Sequence, residues 1–359
     1  MTIADLSGGG AEREFVNLAS CLDRRVFDIH ACLWRPVFDY PLPEDVPATI
    51  LHKHKPWHVF RTVSRLARLI DELKPDVVFS VLQYTNLVTG SALGRCRHSP
   101  RWACRFVLPP EITLRGINLL LARRVLPRAD RLLGCSEGVA HALVRRVGID
   151  PRKALALRNP VDLERIAELA AEPLPIEQAG SRFTVVTVGR LTRQKNQGLL
   201  LRAFAQLPEN SELWIIGRGE LETPLKHQAQ RLGIEPRVRW LGFQKNPFPF
   251  ISAADCFALS SEWEGLPTVI IEAMACGTPV VSTRCPYGPD ELIANGETGM
   301  LVPMNDPAAL AAALTRLAAE PGLRAKLAQN AGNAVRSSFS GLRTVEEHAR
   351  LFQELAEGE

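Results

Sequence analysis

No run of this sequence approaches the eighteen or so consecutive apolar residues that a membrane-spanning helix needs. The N-terminus carries neither a basic n-region nor an apolar h-region, so the chain is expected to be neither integral to a membrane nor exported. The eight cysteines include no C-x-x-C pair and no zinc spacing. Cys32, Cys135, Cys256 and Cys276 fall in apolar strand or helix patterns, which reads as reduced core residues of a cytosolic chain. No G-x-G-x-x-G occurs at either glycine turn, which argues against a dinucleotide-dependent dehydrogenase. Aromatics make up 6% of the chain and do not interleave with the basic residues, so no nucleic-acid module is visible and no nucleic-acid partner is expected.

Carboxylates are scarce in one place. Between Arg95 and Arg131 nine arginines face only Glu111 and Asp130, and residues 1–173 carry 25 Lys+Arg against 19 Asp+Glu. With Ile117, Leu119, Leu120, Leu121, Val125 and Leu126 as an apolar companion, this stretch suits an anionic membrane surface or a phosphate-bearing lipid. A solvated helix packed on its own domain is the alternative. The run His52 to His58 lacks a carboxylate and regular metal spacing, so it reads as an exposed loop that could line an acceptor site, and no metal is expected.

What is present is an alternation of strand and helix patterns over 359 residues, a length that suggests two domains. Strands are expected at 27–34, 77–80, 102–107, 131–135 and 154–157, with helices at 57–73, 86–94, through the basic stretch, and after a cap at Ser136. Asn159-Pro160 breaks the pattern, and Pro173, Pro175 and Gly180 mark a linker. A second series follows, with strands at 183–188, 212–216, 238–241 and 256–260, then a helical tail at 307–355. Repeated βα units predict α/β parallel sheets covered on both faces. The expected division is 1–173 and 174–339, with the last helix, about 340–359, crossing back onto the first domain. Ligands would then lie at the carboxyl ends of both sheets, in the cleft between them.

The chain opens with a short strand pattern, Ile3 to Leu6, then the turn Ser7 to Gly10 and a helix pattern from Ala11. Glycines there would let a phosphate or sugar approach closely. The strand is short, so either the true start lies upstream or the sheet has a truncated member.

The most informative stretch is SSEWEGLPTVIIEAMACGTPVVS, Ser260 to Ser282. A helix is expected from Pro267, proline being suited to the first helical position, to near Gly277. The free amides of residues 266–269 would form an anion site. Glu264 and Glu272 would stand on either side of a phosphate there, and two ionised carboxylates flanking it call for hydroxyl ligands, a sugar on one side and a ribose on the other. Three further turns follow strands. Gly189 to Asn196 brings Arg190 and Lys195 where two cations could grip a diphosphate, Gly217-Arg218-Gly219-Glu220 reads as a tight turn, and Gly242-Phe243 could wall a base-binding slot.

Taken together, SGGGAER, RADRLLGCSEGVA, RNPVD, VGRLTRQKN, IIGRGELE, the stretch from LGFQKN to VVST, and CPYGPDELIANGETGMLVP resemble the retaining glycosyltransferases of family GT4. The resemblance covers nearly the whole chain and is most specific from Val185 to Pro303. It implies the GT-B fold, two facing Rossmann-like doubly wound domains with an interdomain cleft. It implies a nucleotide-diphosphate sugar as donor substrate, with no further cofactor, and a glycan or lipid-linked acceptor on the N-terminal domain. Carried over by position, Arg190 and Lys195 contact the diphosphate and Glu264 the donor sugar. Glu272 takes the ribose hydroxyls, the backbone of Gly265, Leu266, Pro267 and Thr268 surrounds the distal phosphate, Phe243 borders the base, and Gly9 and Gly10 close over the donor.

The resemblance further implies metal-free transfer with retention by front-face attack, in which the leaving phosphate helps take the acceptor proton. It leans toward a UDP-hexose or UDP-N-acetylhexosamine, toward cell-surface polysaccharide or lipopolysaccharide assembly, and toward a cytoplasmic or inner-leaflet location. One departure stands out: the strand Ala103 to Val107 is not followed by the histidine or acidic residue that many members carry. The alternatives are a UDP-sugar epimerase of the same fold and a non-catalytic sugar-nucleotide-binding subunit.

Overall fold

The structure, a computed structural model, describes residues 1–7, 10–53, 58–177, 182–339 and 341–358. It divides into two compact units, Met1–Pro160 with Leu342–Glu359, and Val161–Gly341.

The first unit is built on β1 (Thr2–Ile3), β2 (Ala31–Leu33), β3 (Ala48–Ile50), β4 (Val77–Val81), β5 (Arg101–Phe106), β6 (Arg131–Gly134) and β7 (Ala154–Ala156). All neighbours are parallel in the order β3-β2-β1-β4-β5-β6-β7. The order reverses between β1 and β4, the crevice where doubly wound sheets bind ligands. The expected strand at 27–34 is paired only over three residues, and β3, too short to show alternation, was not expected. Helices α1 (Gly10–Cys21), α2 (Val59–Leu73), α3 (Gln83–Leu93), α4 (Pro110–Thr113), α5 (Ile117–Val125) and α6 (Glu137–Val147) connect the strands. In α2 the spacing of Thr62, Val63, Leu66, Ala67 and Ile70 makes one buried stripe. In α6 the Ser136 hydroxyl accepts from the Val139 amide, as its capping position demands.

The last helix, α15 (Gly341–Glu357), returns to this unit. Its Val345, Leu351, Phe352 and Leu355 join a core with Ile3, Leu6, Phe79 and Val81. The Phe79 and Phe352 rings lie 5.2 Å apart. Burying each such side chain contributes roughly 1.5–3 kcal/mol.

The second unit carries β8 (Phe183–Val188), β9 (Ser211–Ile216), β10 (Val238–Gly242), β11 (Cys256–Leu259), β12 (Val280–Thr283) and β13 (Met300–Val302). They are parallel in the order β10-β9-β8-β11-β12-β13. Here the reversal lies between β8 and β11. The helices are α7 (Leu163–Ala170), α8 (Gln197–Phe204), α9 (Glu222–Arg231), α10 (Phe248–Ala253), α11 (Thr268–Ala275), α12 (Pro289–Leu292), α13 (Pro307–Ala319) and α14 (Pro321–Ser338). The expected division after 173 moves to 160, because α7, capped by Asp162, packs on α10 and α11 of this unit.

The arginine-rich stretch is not one patch. Arg105 lies fully buried in β5. Arg101 and Arg131 start β5 and β6, at the amino ends of parallel strands, whereas Arg115 follows the carboxyl end of β5. Val125 and Leu126, expected on the apolar face, are core residues, while Ile117, Leu120 and Leu121 remain 67%, 63% and 43% exposed.

Candidate active site

The loops that leave β8 and β11 flank the strand-order reversal of the second unit, and they carry Arg190, Lys195 and Glu264. Their ends are locked by backbone. The Gly189 amide donates to the Ile216 carbonyl, the Leu191 amide to the Arg218 carbonyl, and the Gly217 amide to the Gly242 carbonyl. Gly217, at φ +138°, is required by this close approach, because a Cβ there would sit 2.0 Å from the Gly189 oxygen.

Lys195 Nζ donates to Glu264 Oε1 at 2.6 Å, and the Ser261 hydroxyl donates to the same oxygen at 2.6 Å. Glu264 is 5% exposed. A buried carboxylate needs such partners, since desolvation otherwise outweighs what its charge gains. The loops are stitched further by the Glu262 amide to the Gln194 carbonyl and by the Ser260 hydroxyl to the Lys195 carbonyl. Gln197 Nε2 donates to the carbonyl of Arg190, whose side chain is exposed.

The motif CPYGPDE, one of those that carry the resemblance and its lean toward a UDP-sugar, clamps Glu264. The Glu264 amide donates to the Pro286 carbonyl, and the Tyr287 amide donates to the Glu264 carbonyl. Gly288 follows at φ +93°, where a Cβ would come within 2.7 Å of Pro267 Cδ and 2.8 Å of the Gly265 oxygen. Beneath the site, burial pushes the Cys285 thiol up to about 12, and the Glu264 charge adds to the effect.

The α11 helix begins at Thr268 rather than Pro267. Pro267 is the N-cap with φ −72° and ψ 92°, so its fixed φ sets the entry and not the first turn. The amides of Thr268 and Val269 have no acceptor within the helix. Gly265, Leu266 and Pro267 are buried, so they can meet a ligand only through backbone. Glu272 lies 3% exposed in the second turn. Phe243 follows Gly242 and is 59% exposed. Thus Arg190, Lys195, Glu264, Glu272, Phe243 and residues 265–268 all belong to the second unit, at or beside the carboxyl ends of its strands. Of the glycines expected to close over a donor, Gly10 is exposed at the start of α1, while Gly9 lies outside the described residues, as do residues 54–57 of the histidine-rich run.

In the first unit β5 itself, just before the position that lacks the expected histidine or acid, holds a buried cluster. Arg105 Nε pairs with Glu14 of α1, Arg105 Nη2 donates to Asn159 Oδ1 at 2.7 Å, and Nη1 lies 3.4 Å from His348 Nε2 of α15. His348 Nδ1 lies 2.8 Å from the Thr344 carbonyl, which sets that nitrogen as the donor and leaves Nε2 to accept. Burial pushes His348 down to about 3, with the Arg105 charge adding to it. Burial pushes the Glu14 carboxyl up to about 7 against the pull of Arg105. One signal could have revealed this cluster: Glu14 and His348 each occupy an apolar phase of an amphipathic helix.

Residues 175–334 match the family profile described as glycosyl transferases group 1, and residues 8–165 match glycosyltransferase family 4. A Campylobacter jejuni relative is 31% identical over 85% of each chain. The chain belongs to this glycosyltransferase family. That relative is named an N-acetylgalactosaminyltransferase that acts on N-acetylgalactosamine-N,N'-diacetylbacillosaminyl-diphospho-undecaprenol. A lipopolysaccharide core biosynthesis glycosyltransferase of Rhizobium meliloti is 28% identical over 96% of this glycosyltransferase and 95% of its own length. The Anabaena protein HepE, solved in complex with UDP-glucose, shares the fold with a TM-score of 0.81 at 22% identity over 98% of each chain. Sucrose-phosphate synthase from Thermosynechococcus elongatus does so at 0.85, with 20% identity over 99% of this chain and 96% of that one. The fold is thus the GT-B fold expected from the sequence.

Proposed function

We propose that this glycosyltransferase moves a hexose or N-acetylhexosamine from a UDP-sugar to a lipid-linked glycan in polysaccharide or lipopolysaccharide assembly. The observation that carries the donor assignment is the pairing of Lys195 with Glu264 beside the free amides of α11, with Arg190 on the same loop as Lys195. Binding a diphosphate there draws the Lys195 ammonium onto the phosphates and releases Glu264 Oε1 to accept from a hydroxyl of the donor sugar. As the glycosidic bond breaks, Arg190, Lys195 and the amides meet the charge that grows on the departing diphosphate. The front-face route, with the leaving phosphate taking the acceptor proton, retains the anomeric configuration. Two side-chain cations supply the charge that a metal would otherwise bring, so turnover should persist in EDTA. The diphospho-undecaprenol acceptor in the Campylobacter relative's name and the lipopolysaccharide core biosynthesis in the Rhizobium relative's name support the acceptor class, and the UDP-glucose complex of the Anabaena protein supports the nucleotide.

Glu272 is placed on the ribose hydroxyls. UDP is expected to raise the Tm of the purified chain where GDP and ADP do not, by mass action on the native state. Glu272→Ala, which removes the hydroxyl acceptor, should lose most of that shift. A full shift in the variant would remove Glu272 from the donor site, and analysis of the product anomer by proton NMR would decide retention.

No helix among the described residues is long and apolar enough to cross a membrane. We place the acceptor's membrane at the exposed face of α5, where Ile117, Leu120 and Leu121 stand between Arg115, Arg123 and Arg124. Three cations near an anionic surface contribute about 1 kcal/mol each. Flotation with anionic vesicles should therefore exceed flotation with neutral ones by about a hundredfold in partition, and Ile117→Glu/Leu120→Glu should abolish it. Equal partition of the variant would put the contact elsewhere.

A further inference from the structure

The strand-order reversal of the first unit lies between β1 and β4, and at its carboxyl edge two polar atoms are buried with no hydrogen-bond partner among the described residues. They are Nε1 of Trp34, which follows β2, and Oε1 of Gln83, which opens α3. Buried polar atoms are nearly always paired, so an orphan donor and an orphan acceptor at one strand edge call for a ligand. Tyr84 stands beside both. Its ring meets that of Trp34 edge to face with centroids 5.6 Å apart, yet Tyr84 stays 41% exposed. The Lys53 ammonium lies over both rings, 4.2 Å from the Tyr84 centroid and 5.1 Å from that of Trp34. Next to Trp34, Arg35 pairs with Asp5, whose Oδ1 also accepts from the Ser7 hydroxyl at 2.6 Å.

The turn that presents Gln83 and Tyr84 is strained. Leu82 sits at φ 79°, a region that leucine rarely adopts, and a buried network holds it there. Its amide donates to the Arg105 carbonyl at 3.2 Å, Asn86 Nδ2 donates to the same carbonyl at 2.8 Å, and the Ser80 hydroxyl donates to Asn86 Oδ1 at 2.8 Å. Strain of this kind persists only where the surroundings over-determine it, and it clusters at ligand sites.

The chemistry of the edge fits a neutral pyranose. The C–H face of a sugar ring packs on an aromatic side chain, while its hydroxyls or acetamido group donate and accept at once, which answers Gln83 Oε1 and Trp34 Nε1 together. An ionised phosphate only accepts, so it would leave Gln83 Oε1 unanswered.

We propose that this edge seats the terminal sugar of the acceptor, with Tyr84 as the platform under its ring and Gln83 and Trp34 as the groups that hold its polar substituents. Lys53 covers the rings in the absence of the sugar. Both orphan atoms are sealed from water, so the sugar takes the place of the lysine side chain, which moves out to solvent. The proposal rests on the glycan acceptor of the reading given above.

The test is saturation-transfer NMR on the full chain with the methyl α-pyranosides of glucose, galactose, N-acetylglucosamine and N-acetylgalactosamine, using wild type, Tyr84→Ala, Tyr84→Phe, Gln83→Met and Glu264→Gln. At least one pyranoside should bind wild type. Tyr84→Ala should raise its Kd about tenfold or more, and Gln83→Met, which lacks one neutral hydrogen bond, about fivefold. Tyr84→Phe keeps the ring and Glu264→Gln alters only the proposed donor side, so both should bind as wild type does. The UDP-induced Tm shift of the Tyr84 and Gln83 variants should stay intact, which shows folded chains with a whole donor site. Binding of none of the four sugars, an unchanged Kd in Tyr84→Ala, or loss in Glu264→Gln overturns the proposal, and equal loss in Tyr84→Phe sinks the platform. With a prenyl-diphosphate glycan as substrate, Tyr84→Ala should raise the acceptor KM about tenfold and leave the donor KM unchanged. An unchanged acceptor KM sinks the acceptor role. Tyr84-dependent sugar binding with no transfer to any lipid-linked glycan sinks the lipid-linked reading while the sugar site stands.

Discussion

Lys195→Ala is expected to lower kcat by about 10²–10³, the usual cost of removing one preorganised group that meets developing charge. On the proposed donor placement the KM for the donor should move much less, because Arg190 and the amides of α11 would still hold the ground-state diphosphate. The variant will also melt earlier. Glu264 stays behind at 5% exposure with the Ser261 hydroxyl as its closest remaining partner, and removing one member of a buried pair costs about 3–5 kcal/mol. Stability and catalysis separate in the double variant Lys195→Ala/Glu264→Gln, which should recover Tm without recovering kcat. Steady-state rates measured well below the lowered Tm check this, and wild-type turnover by Lys195→Ala would take the residue out of the chemistry.

The second large effect falls far from those residues in sequence. Arg105→Met is expected to cost the first unit about 3–5 kcal/mol, because it leaves Glu14 buried without its cation and strips Asn159 of a donor. For a unit of this size that corresponds to roughly 2–4 °C of Tm per kcal/mol. Glu14→Gln/Arg105→Met should recover part of the loss, since no unpaired charge remains. The cluster also gives acid stability a definite sign. His348 titrates near 6.5 when unfolded and at about 3 in the fold, so the unfolded chain binds the extra proton between those values and stability is lost as pH falls through them. Glu14 titrates higher in the fold than out of it, so its contribution is present at low pH and lost as pH rises from about 4.5 to 7. The two oppose each other between about 4.5 and 6.5, and below that only the histidine acts. His348→Gln should therefore flatten the loss below pH 4.5 in thermal melts, and an unchanged slope would show that another group carries it.

Most of the second unit could be read from the residues alone. Its strands β8, β9, β11 and β12 are buried along nearly their whole length and appear as mostly apolar runs, and β8, β9 and β10 run into glycine turns, so Arg190, Lys195 and Glu264 could be placed beyond strand ends before any coordinates. The hydrogen bond between Lys195 and Glu264 could not, because the two lie 69 residues apart and meet only across the strand-order reversal. The clamp from Pro286 and Tyr287 was hidden for the same reason. In the first unit, β1 and β3 are two and three residues long, too short for any periodicity. Counting arginines also misled, because a buried one looks like an exposed one until a strand phase is assigned. The division after Pro160 escaped because prolines at 173 and 175 advertise a linker, whereas α7 is fixed by contacts with α10 and α11, far later in the chain.

The return of α15 has a consequence for biosynthesis. Residues 1–160 leave the ribosome with Arg105, Glu14 and the apolar faces around Phe79 already in place, but the helix that covers them is made only after the whole second unit. At about 5–20 residues per second, the intervening chain takes roughly ten to forty seconds to make. Throughout that interval the first sheet is a docking site for a segment not yet translated, and the second unit, whose core is contiguous in sequence, can fold first. The N-terminal half is thus the last part of this protein to mature, and a ribosome that stops short of His348 releases a chain with an open core.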